Sequence, residues 1–232
     1  MDKKANSMKV SISLGGSLLT RSGDAESYRR YAAGLRKIHD EGHMVVVVCG
    51  GGRPARQYID LGKELGASRN IQDRLGILTT HLNATLLIAA LGDAADQRLH
   101  RRGTEVKAHL KDKIIVGGGH APGSSTDYRA ALFAGAIDAD LIINATDYPG
   151  VFDKDPRKYK DAKKYDTITY KDLENIIKTR FKQDPGDYGL FDLKALHFTA
   201  RNHIPVAIID GRDPDEIVQT VHGKINGTLI TS

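Results

Sequence analysis

The sequence predicts an α/β protein in which helices cover both faces of a mostly parallel central sheet, a three-layer α/β/α sandwich. Continuous apolar strands alternate with segments of helical periodicity, a pattern typical of buried parallel strands. Several of these strands run directly into glycine-rich turns. The chain has 232 residues, of which 40% are hydrophobic, so it can bury a substantial core.

The predicted elements alternate along most of the chain. Glycines end two of the helices, Gly42 the first and Gly66 the second. Strands are expected at KVSISL (9–14), HMVVVVC (43–49), the start of 113–127, the start of 140–150, PVAIID (205–210) and GTLIT (227–231). Helices are expected at 25–41, 53–66, 71–92, 128–137, near 170–179, near 192–202 and near 213–222.

The charge of the chain suits an enzyme that acts on anionic metabolites. The formal net charge is +5, from 34 basic and 29 acidic residues. The densest basic cluster comprises Arg98, His100, Arg101 and Arg102, and we interpret it as the solvated end of a helix. Because the cluster is short and lacks interleaved aromatic residues, we expect no nucleic-acid partner.

The remaining composition favours a cytoplasmic protein without a membrane partner. The only cysteine, Cys49, cannot form an internal disulfide, which fits a reducing compartment. No apolar run approaches the roughly 20 residues that span a bilayer. Residues 1–8 are charged and are not followed by an apolar segment, so they are interpreted as an N-terminal extension rather than a secretory signal.

Four strands end in small or polar turns, at 15–17, 50–52, 117–127 and 144–150. The carboxyl ends of parallel strands lie at one edge of a sheet, where ligands of such folds bind. Glycines let backbone N–H groups approach an anion, and a guanidinium one helical turn later can bind phosphate oxygens. Neither GxxxxGK[ST] nor GxGxxG is present in the required context. Several anion-binding turns without either motif indicate two phosphorylated ligands that meet end to end.

The motifs along the chain resemble those of the amino-acid kinase family, and within it the uridylate kinases of archaeal type. The resemblance covers residues 9–230, and it is the order and spacing of the motifs together that make it specific. The segments that carry it are LGGSLL (14–19), GGGRPARQYI (50–59), DRLGILTTHLNATLLIAAL (73–91), GGGHAPGSSTD (117–127), TDYPGVFDKDPRKY (146–159), DLKALHFTARNHIPVAIIDG (192–211) and NGTLI (226–230).

This resemblance implies transfer of the γ-phosphoryl group of ATP to UMP, with Mg²⁺ carried by ATP and no metal site of the protein itself. The phosphate of UMP is already ionised, so no general base is required, and charge neutralisation and in-line positioning become the main tasks. The family fold implies a single domain at 9–232. Its acceptor-binding half would span about 9–140 and its ATP-binding half about 141–232. Uridylate kinases of this family also imply a homohexamer.

The resemblance also assigns an ATP site. Its residues would be Ser13, Leu14, Gly15, Gly16, Ser17, Gly52, Arg56, Thr146, Asp147, Phe152 and Asp155. In this assignment the turn after the first strand donates backbone N–H groups to the ATP phosphates, and Phe152 stacks on adenine. The alternative for Phe152 is ordinary packing in the core.

A second set of residues would bind UMP. It comprises Gly50, Gly51, Asp73, Gly119, His120, Ala121, Pro122, Gly123, Ser124, Ser125, Thr126 and Asp127. Asp73 would hold the sugar hydroxyls, or else act only as a carboxylate near a helix start. Asp127 would orient the site, cap the next helix, or both. Asn83 is expected to brace its helix rather than touch the substrate.

The implied catalytic group comprises Arg56, Asp192 and Lys194. Arg56 would stabilise the charge of the transferring phosphoryl group, and Asp192 would organise the phosphate site or only cap its helix. Two positions depart from the family pattern: Ser13 occupies the place of a frequent lysine, and His197 aligns with another. Lys194, one turn from His197, is therefore the candidate replacement cation, with a solvated surface lysine as the alternative.

Other departures concern the acceptor loop and the histidines. The loop GGGHAPGSSTD is one residue longer than the usual archaeal version, and Pro149 is a further variation. The nine histidines show no pair with metal-ligand spacing, so no zinc site is expected, and His197 and His203 are interpreted as structural or surface residues.

Two other functions remain open from the sequence. The same fold can phosphorylate a carboxylate or carbamate acceptor, although TTHLNATLLIAAL favours the nucleotide-binding subgroup. It can also bind a nucleotide or an oxyanion without turnover, as a storage or sensor protein, and Ser13 in place of the lysine keeps that alternative open.

Overall fold

The computed structural model describes residues 7–180 and 191–232 as alternating strands and helices. The strands are β1 (Lys9–Leu14), β2 (Met44–Cys49), β3 (Ile115–Gly117), β4 (Leu141–Thr146), β5 (Thr167–Thr169), β6 (Val206–Asp210) and β7 (Gly227–Thr231). The helices are α1 (Gly16–Leu19), α2 (Ala25–Asp40), α3 (Gly52–Glu64), α4 (Arg69–Leu91), α5 (Gly103–Val106), α6 (Thr126–Ile137), α7 (Tyr170–Arg180), α8 (Leu193–Arg201) and α9 (Pro214–Val221).

The strands form one seven-stranded sheet in the order β3-β2-β1-β4-β6-β7-β5. The first five strands in this order are mutually parallel, while β7 is antiparallel to β6 and β5 runs parallel to β7. Strands β2 and β3 follow β1 on one side of it, and β4 then lies on the other side of β1. The mostly parallel sheet predicted from the sequence is confirmed.

Both faces of the sheet are buried. In β2, Val45 and Val47 pack into a core with α2, α4 and α9, while Val46 and Val48 pack on the opposite face with α5 and α6. A further core on that opposite face joins α6, α7 and α8 to the strands. Burial on both faces is the reason that the strands are continuously apolar rather than alternating.

Local signals fix the ends of several helices. Asp24 accepts hydrogen bonds from two backbone N–H groups at the start of α2, and Asp213 does so from one at the start of α9. Beyond the other end of α2, Gly42 has a φ of +93°, which favours glycine. Gly66 plays the same part after α3, with a φ of +72°.

Four features differ from the sequence expectation. The turn after β1 contains the short helix α1, neither β5 nor α5 was anticipated, and most of the basic cluster does not lie at a helix end, although Arg102 is the N-cap of α5. Instead, residues 95–100 run beside β3, and His100 is buried with a parallel bridge to Gly117. The spacing of the basic residues could not reveal this arrangement, because the backbone groups of 95–100 are hydrogen-bonded to β3 and not to one another.

Helix α4, predicted at 71–92, was not expected to be apolar enough to match a membrane span. The segment Arg69–Ala94, which includes α4, contains a window of mean hydropathy 1.5 that meets the length and composition of a membrane span, and 39% of that window is buried. The core helix of a soluble protein passes the same test. Four large apolar residues of α4 are nevertheless exposed: Ile71, Leu78, Leu82 and Leu86.

Candidate active site

Five parallel strands direct their carboxyl ends to one edge of the sheet. The chain order reverses between β1 and β4, which is the position where open α/β sheets bind ligands. The turns that follow these strands are tied together by backbone hydrogen bonds. Gly15 N donates to Ala145 O at 2.9 Å, Gly50 N to Leu14 O at 2.8 Å, and Gly211 N to Thr146 O at 2.7 Å.

The turns at 15–16 and 50–52 touch through bare backbone. A Cβ on Gly16 would lie 2.1 Å from Gly52 N and 2.5 Å from the carbonyl of Gly50. Gly52 has a φ of +67°, and a Cβ there would lie 2.4 Å from Gly16 O. No side chain other than hydrogen fits at these positions. Helix α3 begins here, and its N-cap, Gly51, has no side chain to cap it. Thr20 Oγ1 accepts from Arg53 N at 3.3 Å, and other N–H groups of the first turn can bind an anion.

Asn83 on α4 fixes the second turn from behind. Its amide donates to Gly50 O at 2.7 Å and to Gly51 O at 3.2 Å, and its Oδ1 accepts a hydrogen bond from the hydroxyl of Tyr28. Asn83 is 3% exposed. It therefore orients the peptide groups of the turn, in agreement with the expectation that it braces the structure rather than touching a substrate.

The predicted acceptor loop, 117–127, is held against α4. Gly119 N donates to Thr80 Oγ1 at 2.7 Å, and Gly119 O lies 2.6 Å from His81 Nε2. Further along, Gly123 N donates to Asp73 Oδ2 at 2.9 Å. The sequence reading named Asp73 but missed Thr80 and His81. Residues 81–91 resemble the uridylate kinase pattern R-x-N-A-x-L-L-I-A-A-L, in which the position of His81 is arginine, and that departure was the available signal.

Asp127 lies in the first turn of α6, but it does not cap the helix. The cap is Ser125, whose Oγ accepts from Tyr128 N at 3.0 Å, so that alternative for Asp127 is wrong. Asp127 instead accepts a hydrogen bond from Ser13 Oγ at 2.7 Å and another from the backbone N–H of Asp192. Its side chain therefore faces β1, the strand that carries Ser13.

This environment favours the neutral form of the Asp127 carboxyl. Burial, followed by the negative charge of Asp192, raises the pKa of Asp127 to about 6 from the usual 3.8, and the Ser13 hydrogen bond opposes the rise. Asp192 itself caps α8 by accepting from the backbone N–H groups of Lys194 and Ala195. The helix-capping alternative for Asp192 is thus realised, and its position beside Asp127 is compatible with the other role.

The two candidate cations of α8 have different surroundings. Lys194 Nζ donates to Gly123 O in the acceptor loop at 2.9 Å, which connects α8 to the loop held by Asp73. His197 lies one turn later and its Nε2 is 2.9 Å from Glu174 Oε1 on α7. Lys194, not His197, therefore reaches the loop.

The remaining predicted residues lie at three places along the same edge. Arg56 is on the first turns of α3, after Gly52, and its side chain is exposed. Thr146 is the last residue of β4, and Asp147 follows it directly. Farther along, Phe152 packs edge-on against Tyr148, and Asp155 accepts hydrogen bonds from Tyr148 and Arg157. Those bonds depress the pKa of Asp155 to about 2 and give the carboxylate a local structural role.

Oxygen ligands at this edge suit Mg²⁺, which binds through carboxylates and substrate phosphates. The carboxyl of Asp127 lies beside Asp192 without a cationic partner in its hydrogen-bond set, and this fits a cation that arrives with a nucleotide. At the opposite end of the sheet, the ligand atoms of Glu41, His43 and His222 lie within 4.8 Å of one another. His43 Nδ1 there accepts from Met8 N at 3.0 Å, so its lone pair is already used.

A cleft of about 790 Å³ opens between the start of α2 and helices α3 and α4. Its walls include Thr20, Tyr58 and Leu86. None of the turns at 15–16, 50–52 or 117–127 lines it, so we do not assign a substrate to this cleft.

Known proteins match nearly the whole chain. The family model for the amino acid kinase family matches residues 8–210. The uridylate kinase of Methanocaldococcus jannaschii is 42% identical over 227 residues, which cover 96% of this chain and 99% of that protein.

Solved structures of uridylate kinases are also similar to this chain. The crystal structure of uridylate kinase from Archaeoglobus fulgidus has a TM-score of 0.85 and 36% identity, over 97% of this chain and all of that one. UMP kinase from Bacillus anthracis has a TM-score of 0.81 and 25% identity, over 97% and 96%.

The raised pKa of Asp127 predicts a pH-dependent stability difference. The folded protein favours the neutral carboxyl, so folding binds a proton between pH 3.8 and about 6, and the wild type loses stability as the pH rises through that window. Asp127→Asn cannot ionise. Its free energy of unfolding, relative to the wild type, should therefore rise by about 1–3 kcal/mol between acidic and neutral pH. Urea unfolding across this range measures the difference, and a flat difference would contradict the assignment.

Proposed function

This chain belongs to the amino acid kinase family, and we propose that it is a UMP kinase that transfers the γ-phosphoryl group of ATP to UMP, giving UDP and ADP. The observation that carries the proposal is the contact between the glycine turns at 15–16 and 50–52, beside an acceptor loop anchored to α4. Relatives named uridylate kinase match the chain over almost its full length, which supports the same chemistry.

In the proposed arrangement the two phosphates meet where the turns touch. Backbone N–H groups of Gly16, Ser17 and the α3 N-terminus would bind phosphate oxygens, and Arg56 would neutralise charge on the transferring group. The N–H of Gly15, expected to be a further donor, is used by Ala145 O instead. The acceptor phosphate needs no general base because it is already ionised. Mg²⁺ bound with ATP would supply further neutralisation of the phosphates, and Asp127 and Asp192 are the carboxylates that would face it.

The two halves of the sheet divide the substrates in this proposal. The half at about 9–140 contains β1, β2, β3 and the loop 117–127, and would bind UMP, with Asp73 on its sugar. The half at about 141–232 contains β4 to β7 and would bind adenine and ribose through Thr146, Asp147, Phe152 and Asp155. The reducing cytoplasm suits Cys49, which is free, buried and held protonated by a pKa raised through burial.

We also propose that the protein self-associates through one face of α3 and α4, as part of the expected homohexamer. Large apolar side chains repeat at helical spacing along both helices and are about half exposed or more. They are Tyr58 and Leu61 on α3, Leu65 directly after it, and Ile71, Leu78, Leu82 and Leu86 on α4. An apolar face of this extent marks an interaction surface, and burial against a second copy would remove it from water.

The function is tested by an acceptor assay with a matched pair of variants. UMP, CMP, acetylglutamate and carbamate are each incubated with labelled ATP and Mg²⁺, and we expect UMP to be phosphorylated fastest. Arg56→Ala should lower kcat by about 10²-fold or more, since it removes a charge stabiliser. Lys63→Ala, at the exposed far end of the same helix, is the control and should retain activity. Faster turnover of another acceptor would overturn the UMP assignment.

The role of Lys194 is tested against His197 on the same helix. Lys194→Met should lower kcat by about tenfold or more, because it removes a cation that reaches the acceptor loop. His197→Ala should stay within about twofold of the wild type, since its exposed pair with Glu174 contributes little. The opposite ranking in steady-state assays would show that the histidine has taken over the family lysine's task.

Self-association is tested by placing a charge on the apolar face. Leu82→Asp should shift the protein to smaller species in sedimentation velocity, because the carboxylate cannot be buried without a partner. Tyr159→Asp serves as the control, since Tyr159 is also about half exposed but lies far along the chain from α3 and α4. A Leu82→Asp protein that keeps the assembly of the wild type would exclude this face as the interface.

A further inference from the structure

Arg129, on α6, is a buried cation whose hydrogen-bonding capacity is largely unused. Its residue is 5% exposed, and its guanidinium carbon lies 4.3 Å from the ring centre of Phe133. Its Nε and Nη2 are shielded from solvent and have no hydrogen-bond partner among residues 7–180 and 191–232. A guanidinium stays protonated in proteins, so these N–H groups remain donors without an acceptor.

The surroundings of Arg129 add positive rather than negative charge. Burial lowers the pKa of His120, and the positive charges of Arg129, Arg102 and Arg101 lower it further. These groups therefore lie close enough to repel one another. Among the described residues, the carboxylate that acts on Arg129 is that of Glu105, which is exposed and accepts from the backbone N–H of Arg101 at 3.3 Å.

Arg129 lies where α5, α6 and the end of β3 pack together. Helix α5 lies against α6 so tightly that a Cβ on Gly103 would be 2.7 Å from Ala136 Cβ. Phe133 is fully buried, and its ring would be 2.7 Å from a Cβ on Gly117. The guanidinium of Arg129 lies against the ring of Phe133. An unpaired charge held in this way is costly unless a counter-charge is supplied.

We propose that a phosphate-class anion binds Arg129, between α5 and the loop 117–121, with Arg101, Arg102 and His120 at its outer side. A tetrahedral oxyanion accepts several hydrogen bonds at once and matches the two donor edges of a guanidinium. It would supply the missing acceptors for Nε and Nη2 and offset the surrounding cations. This site is separate from the phosphate positions of the proposed reaction, because Arg129 faces α5 and not the turns at 15–16 and 50–52.

The anion would also connect α5 to the acceptor loop. His120 belongs to that loop, and its neighbour Gly119 is held by Thr80 and His81. An anion shared by His120 and the arginines would therefore restrain the loop from the side opposite α4. The ligand is either free phosphate or the phosphate chain of a larger metabolite, and the two share the chemistry described.

The test uses the whole protein, with the substrate positions filled by saturating UMP and a non-hydrolysable ATP analogue with Mg²⁺. Orthophosphate and tripolyphosphate are added separately, against sodium chloride of equal ionic strength. At about 100 times its Kd, the anion that fits should raise Tm by roughly 5–10 °C. A response to orthophosphate identifies a free-phosphate site, and a response to tripolyphosphate alone identifies a phosphate-chain site.

Arg129→Met and Arg98→Met separate this site from general charge effects. Arg129→Met should lose the anion response and, without anion, should be at least as stable as the wild type, because methionine fills the volume without a buried charge. Arg98→Met removes an exposed guanidinium that is paired with Asp96, and it should keep the response. Absence of any Tm rise in the wild type, or an equal rise in Arg129→Met, would overturn the proposal whether or not the protein phosphorylates UMP.

Discussion

The close approach of two backbone turns is the constraint on which the site depends. Gly16 and Gly52 meet with no room for a Cβ on either, so the strand ends of β1 and β2 come together as bare peptide groups. This contact sets where α3 begins and therefore where Arg56 lies. It also explains the position of Asn83. The turn at 50–52 lies close to α4, so the amide of Asn83 reaches the carbonyls of Gly50 and Gly51. A side chain at the contact would separate the two strand ends rather than merely crowd them.

Electrostatics at this edge follow from Ser13. Where the family frequently has a lysine, the chain has a hydroxyl that donates to Asp127, and a hydrogen bond from a neutral group offsets burial less than a neighbouring cation would. The carboxyl of Asp127 therefore has a raised pKa, and Asp192 adds to the rise. Positive charge reaches the site from other directions, from α3 and from Lys194 on α8. In the proposed mechanism, groups on helices and a nucleotide-bound cation would together replace a lysine on the strand.

The sequence was sufficient for the parts of the fold that depend on local pattern. The run Val45–Val48 is apolar because both faces of β2 are buried, and the glycines after it are required where backbones touch. Features that depend on distant partners could not be predicted in this way. His100 was predicted to be solvated because the residues next to it in sequence give no sign of its bridge to Gly117. For Asp127, both it and Ser125, two residues earlier, are suitable helix caps, and the sequence alone does not decide between them. The family resemblance supplied the candidate residues, but only the structure distinguished Lys194 from His197 by their contacts.

Helix α6 carries two uncompensated charges of opposite sign, and their geometry keeps them apart. Asp127 and Arg129 are two residues apart, so at about 100° per residue their side chains point to opposite sides of the helix. One faces β1 and the other faces α5, which prevents the pairing that their charges would otherwise favour. The carboxyl can respond to burial by binding a proton, as its pKa of about 6 indicates. The guanidinium has no such response, since it does not lose its proton in the accessible pH range. Asp127 can therefore stay in α6 without a cationic partner, whereas the Nε and Nη2 groups of Arg129 need an acceptor that the described residues do not supply.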